Sequence, residues 1–188
     1  QDNFSALDMK SFWHHSICVG VISKFFAKKL KYDPKVLEEF FVGGLLHDIG
    51  KIPFNAVLAD HYLKVITTAR SRGVSLHRVE SEVYKINHAE LGGRIAELWK
   101  LNDNLKSIIL YHHDFSELEP NLKKVVAIVE LANIVSVKSS KGFAGNSFSS
   151  ELEEQIFEIT GLKWSDVDEA EEFADEAIAK AKVFLQLE

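Results

Sequence analysis

The stretch Phe40-Phe41-Val42-Gly43-Gly44-Leu45-Leu46-His47-Asp48-Ile49-Gly50-Lys51 decides how this chain is read. An apolar run, broken only by two glycines, leads straight into a His-Asp pair, so both polar side chains are expected to be at least half-buried. A buried carboxylate is costly unless it is paired, hydrogen-bonded or bound to a metal. Gly43 and Gly44, one turn before His47, remove side-chain bulk and let another helix, or an ion with its ligands, come close. Upstream, Asp33 as N-cap and Pro34 at the first helical position start a helix through Val36, Leu37, Phe40 and Phe41. Gly50 stands where a C-terminal stop is expected, with Pro53 shortly beyond. A single His-Asp pair at a helix end is also what a cap or an ion pair produces, so its meaning depends on the rest of the chain.

The rest reads as helix almost throughout, with no run of period-two alternation. A first helix covers Asp8 to Leu30, with Phe12, Val19, Ile22 and Phe26 on one face and Lys10, Lys24 and Lys28 on another. Further helices are expected over Asp60–Arg72 and Leu76–Lys85. Asn87-His88-Ala89-Glu90 is a capping box opening a helix through Leu91, Ile95, Leu98 and Trp99. Asn104–His113 forms another, and Pro120 starts a long one through Leu122, Val125, Val126, Ile128 and Val129. Residues 139–150 are a loop by composition. Two closing helices follow over Glu151–Thr160 and Ser165–Gln186, the second capped by Ser165 with Asp168 in its first turn. The expected fold is all-α, a bundle of about eight or nine helices.

Histidine carries the chemical information. On a wheel of 3.6 residues per turn, His15 falls within the Phe12/Val19/Ile22/Phe26 stripe and points inward, while His14 falls beside the lysines. His88 lies in the first turn of its helix, where a polar residue near a cap is the plainer account. His112-His113 end an apolar run, Ile108 to Tyr111; side chains about 100° apart can reach around one metal or serve two. Each is ordinary alone, but four helical segments offering inward imidazoles, one beside a carboxylate, point to a shared ligand shell. His61 and His77 lack such context and read as surface or supporting residues.

Composition sets the outer bounds. The 188 residues are 46% apolar and 27% charged, enough for one substantial core, and a single domain over 1–188 is expected, with a core at 12–138 and C-terminal helices at 151–188. A net charge of −6 disfavours nucleic acid as a partner. No apolar run is long enough to span a membrane. The lone Cys18 fits a reducing, cytoplasmic setting. The start at Gln1-Asp2-Asn3-Phe4 suggests the C-terminal part of a longer chain.

Phe12-Trp13-His14-His15-Ser16, Gly44-Leu45-Leu46-His47-Asp48-Ile49-Gly50-Lys51, Asn87-His88-Ala89-Glu90-Leu91-Gly92 and Tyr111-His112-His113, in that order, resemble the HD superfamily, and specifically the HDOD-type output domains of bacterial signalling proteins, relatives of the HD-GYP group. The similarity is expected to run from about Phe12 to the C-terminus, and implies the HD-domain helical bundle. It also implies His15, His47, Asp48, His88, His112 and His113 as metal ligands, with Asp48 bridging two ions and Lys51 near a substrate phosphate. One or two divalent ions are expected, iron, manganese or zinc. Water activated between them would attack phosphorus. There are two departures. The family's final Asp ligand is replaced by Asn133 in Leu131-Ala132-Asn133, which offers a neutral carbonyl oxygen. After His113 the chain reads Asp114-Phe115-Ser116-Glu117, without the Gly-Tyr-Pro stretch of the cyclic-di-GMP phosphodiesterases, so that activity is not supported.

Three functions stay open on this reading. One is a metal-dependent phosphohydrolase acting on a phosphate ester or nucleotide, with Asp48 and Lys51 in catalysis. Another is an inactive signalling module that keeps a structural or sensory metal and works through protein partners. A third is a redox or oxygen sensor, should the metal be iron.

Overall fold

A computed structural model describes residues 6–139, Gly145 and 153–185, with side chains up to residue 179. Among the described residues there is no strand. The helices are α1 (Met9–Lys29), α2 (Leu37–Leu46), α3 (Lys51–Val57), α4 (Ala59–Arg72), α5 (Leu76–Tyr84), α6 (His88–Leu98), α7 (Asp103–Tyr111), α8 (Pro120–Lys138), α9 (Glu153–Thr160) and α10 (Trp164–Leu185). A 3₁₀ turn, Pro34–Val36, precedes α2. The all-α expectation holds. Apart from Ser139 and Gly145, the expected loop at 139–150 lies outside the described residues.

Three local expectations change. Asp33 does cap a helical start, accepting from Lys35 N at 2.9 Å, but Pro34 begins the 3₁₀ turn and α2 starts at Leu37. The last helix starts at Trp164 rather than at a Ser165 cap, and Asp166, not Asp168, turns back to accept from Lys163 N at 2.8 Å. Gly50 is not a helix stop in the left-handed region: its φ is −67° and α3 follows at once. What Gly50 provides is space, since a Cβ there would lie 2.0 Å from the His88 carbonyl oxygen and 2.7 Å from Gly92 N. The turn after α2 therefore rests directly on the backbone of α6.

The large core joins α1 to α2, α7, α8, α9 and α10 through Cys18, Val19, Ile22, Phe26, Phe40, Ile108, Val126, Ile128, Leu131, Ile156 and Ala170. Each large side chain fully buried there contributes about 1.5–3 kcal/mol. A smaller core under α3, α4 and α5 gathers Phe12, Phe54, Tyr62, Ile66, Leu76 and Val79. Where α1 crosses α2, a Cβ on Gly44 would stand 2.7 Å from Gly20 Cα. That contact of backbones, in place of side chains, sets His15 on α1 near His47, their ring centroids 5.5 Å apart. No described helix is long and apolar enough to cross a membrane.

Candidate metal centre

Each helix delivers its histidine by a local device. His47 follows the last residue of α2, and its Nδ1 lies 2.7 Å from the Gly44 carbonyl oxygen. His112 stands in the same relation to α7, its Nδ1 3.0 Å from Ile109 O. His15 projects from the middle of α1, its Nδ1 3.0 Å from Ser136 Oγ on α8. His88 opens α6 behind the expected capping box, in which Asn87 and Glu90 cap each other. Just upstream, Lys85 adopts a left-handed φ of 59°, at a cost of about 1–2 kcal/mol, and turns the chain sharply between α5 and α6. Glu80 of α5 is thereby returned to His88: its Oε2 accepts from His88 N at 2.9 Å and meets Nδ1 at 2.6 Å. Glu80 Oε1 accepts in turn from Tyr62 Oη at 2.7 Å.

With the Nδ1 atoms of His15, His47, His88 and His112 tied outward, their Nε2 atoms face inward around Asp48. One carboxylate oxygen, Oδ2, lies 3.4 Å from His47 Nε2; the other, Oδ1, lies 3.3 Å from His88 Nε2 and 3.7 Å from His112 Nε2. Two groups of ligand atoms result, each within a 4.8 Å span: His15, His47 and Asp48, and His88, His112 and His113. His113 Nε2 is 2.8 Å from His88 Nε2. His15, His47, Asp48, His88 and His112 are all buried to within 1%. Among the described residues, His15 Nε2, His47 Nε2, His112 Nε2 and Asp48 Oδ1 have no hydrogen-bond partner. Leaving four buried polar atoms bare is unfavourable unless something binds them. Imidazole nitrogens with a shared carboxylate, four of the rings anchored by their far nitrogen, suit a first-row divalent ion.

The local electrostatics agree with that donor chemistry. Burial pushes His15 down to about 3, helped by neighbouring His47. Burial first, then His47, holds His112 well below the usual range; burial, then His112 and His88, does the same to His113. These rings stay neutral, as ligands must. Burial alone would raise Asp48, but its neighbours His47, Lys51 and His88 outweigh it and keep the carboxyl well below its ordinary value. His88 runs the other way, because the Glu80 charge overcomes burial and raises it.

The remaining expected residues are also buried at the centre. Lys51 is fully buried and donates to Asp48 Oδ2 at 2.6 Å, so its ammonium is turned to the carboxylate. Asn133 is 4% exposed and sits against the His15 ring, with its Nδ2 donating to Glu130 Oε2 at 3.0 Å and its Oδ1 bare. Burial pushes Glu130 up to about 8. His77, expected as a surface or supporting residue, is partly buried and stacks on His113 at 4.1 Å between centroids. His61 stays exposed, beside Tyr84.

Sequence reasoning did not find Glu80, Tyr62, Ser136 or Glu130. Two of them carry a signal. Glu80 falls on the face that Leu76 and Val79 bury, and Glu130 is the sole ionisable residue between Lys124 and Lys138.

The fold is shared with an HDOD domain protein of unknown function from Geobacter sulfurreducens, with a TM-score of 0.73 and 22% identity, over 94% of this chain and 62% of that one. A candidate phosphohydrolase from Shewanella amazonensis SB2B gives 0.64 at 22% identity, over 89% and 60%. The response regulator MmoQ from Methylococcus capsulatus Bath gives 0.65 at 17% identity, over 89% and 62%. At such identities the likeness is one of fold. In sequence, an uncharacterised protein of Treponema pallidum (strain Nichols) is 23% identical over 127 residues, which is 68% of this chain and 25% of that protein. The chain thus spans about three fifths of these solved neighbours and a quarter of the Treponema relative. The sequence pattern of the HDOD domain matches residues 1–115, ending before Glu130 and Asn133 rather than reaching the C-terminus. That match takes in more than half of the sequence, and the chain belongs to the HDOD domain family.

Proposed function

We propose that this domain is a signalling module whose His-Asp centre holds one or two divalent ions, iron, manganese or zinc, and conveys their presence to protein partners. The observation that carries the reading is the set of bare, buried ligand atoms around Asp48, each histidine held by its far nitrogen. His15, His47 and Asp48 would hold one ion, His88, His112 and His113 a second, with the two oxygens of Asp48 turned to the two groups. Burial of nearly the whole set favours a structural or sensory ion, since a catalytic one keeps a position open.

A second reading, hydrolysis of a phosphate ester or nucleotide, draws on His113, which is only partly buried and lies at the rim with His77. Bound ions would supply Lewis acidity and acidify water there. For Lys51 to meet a phosphate it would have to leave Asp48, so in the arrangement seen here it acts as a positioning group for that carboxylate.

Elemental analysis of protein purified without chelator, aerobically and anaerobically, tests the first reading. One to two first-row ions per chain are expected, falling sharply in His47→Ala and Asp48→Ala; metal-free wild-type protein from both preparations sinks it. A screen of phosphodiesters and nucleotides with added manganese or iron tests the second. Turnover must vanish in Asp48→Ala, and its survival there would mark a contaminant.

A further inference from the structure

Asn133 is the one neutral amide among the residues expected to bind metal, and it does not stand alone. Glu130 lies one turn earlier on α8, 2% exposed, inside a segment otherwise built of Val, Ala, Ile and Leu. Its Oε2 accepts from Asn133 Nδ2 at 3.0 Å. An amide whose nitrogen is held on one side must present its oxygen on the other. Asn133 Oδ1 is that oxygen: buried, without a hydrogen bond of good geometry among the described residues, and carried by a side chain close enough to interact with His15.

We propose that Glu130 and Asn133 form a two-residue unit in which Glu130 is a positioning residue, aiming Asn133 Oδ1 at the ion held by His15, His47 and Asp48. The unit keeps an oxygen ligand at that position and moves the acidic group one hydrogen bond away from the ion. It rests on the metal reading above and adds a specific claim: the amide is a ligand because Glu130 orients it. Glu130→Gln removes the constraint, because a Gln amide can donate to Asn133 Oδ1 and consume the ligand atom. Asn133→Asp alone sets two carboxyl groups against each other at the distance now spanned by the amide. Glu130→Gln with Asn133→Asp relieves that clash and leaves a carboxylate ligand supported by an amide.

The test is metal affinity by competition with a chromophoric chelator, using manganese and zinc on the whole chain, with circular dichroism to confirm folding. Glu130→Gln is expected to weaken one ion roughly 10- to 100-fold while the other is held as before. Asn133→Asp is expected to do no better than wild type, and the double variant to bind that ion more tightly than either single one. Unchanged affinity in Glu130→Gln, or additive effects in the double variant, would overturn the unit while leaving the metal centre in place. Wild-type protein that binds neither ion would instead remove the metal reading on which the unit rests.

Discussion

The two ligand groups around Asp48, one of two histidines and the carboxylate and one of three histidines, are supported in different ways. In the first, His15 leans on a serine hydroxyl and His47 on a backbone carbonyl, both neutral, and the buried cation Lys51 adds positive charge on the same carboxylate oxygen. In the second, His88 leans on the carboxylate of Glu80, which Tyr62 holds in place. A neutral support fixes a ring's tautomer; an anionic one also makes the ring a stronger donor. The second group is therefore expected to hold its ion more tightly, and the first to depend more on what α8 contributes.

Three changes break or sharpen that contrast. The largest effect is expected from Gly50→Ala, whose new Cβ would collide with the His88 carbonyl and the Gly92 amide. Backbone meets backbone there, so α6 must move away from Asp48, costing about 3 kcal/mol of stability. Chemical denaturation should show the loss, and the His88 group should lose its ion before the His15 group does; equal loss from both would show that the groups share one rigid frame. Next comes Glu80→Gln, which keeps the Tyr62 contact but replaces the anion behind His88. Competition titration should find one ion weakened roughly 10- to 100-fold and the other unchanged. If the ion at His15 and His47 weakens instead, the assignment of supports is wrong.

The smallest effect concerns acid. His15, at about 3 in the folded chain, sits below the usual histidine value near 6.5, so the unfolded state takes up its proton first and stability falls as pH drops from about 6.5 toward 3. His77, at about 4, and the lowered His112 and His113 act in the same direction. His88 opposes them: its raised value contributes stability that is fully present below about 6.5 and is lost as pH rises through its folded value. In chelated protein the net change from pH 7 to pH 6 is expected to be a loss of roughly 1 kcal/mol for each neutral ring at most. Glu80→Gln should steepen this acid loss by removing the opposing contribution, and an unchanged slope would separate Glu80 from the proton affinity of His88.

How far the sequence reaches differs along the chain. The capping box at Asn87–Glu90 and the inward turn of His15 are local facts, set by a three-residue spacing and a helical stripe, and both are found. Gly50 is misread because a glycine that ends a helix and one that admits a neighbouring backbone look alike in one dimension; only the position of His88 tells them apart. Glu80 escapes because its partner is fixed by the left-handed turn at Lys85, where a lysine gives no hint of such a conformation. Glu130 was open to detection, since a lone charge in a buried helix requires a partner.

The His15–Ser136 contact joins residues 121 positions apart. Closing so long a loop carries an entropy cost that only an already collapsed chain can offset, and such contacts form late in folding. His88 and Glu80, eight residues apart, can meet much earlier. Assembly is therefore expected to have a direction, with the α5–α6 corner set before α8 brings its side chains to α1. An ion at His15 and His47 is then expected to be received by a nearly finished fold, and one at His88 by an earlier one.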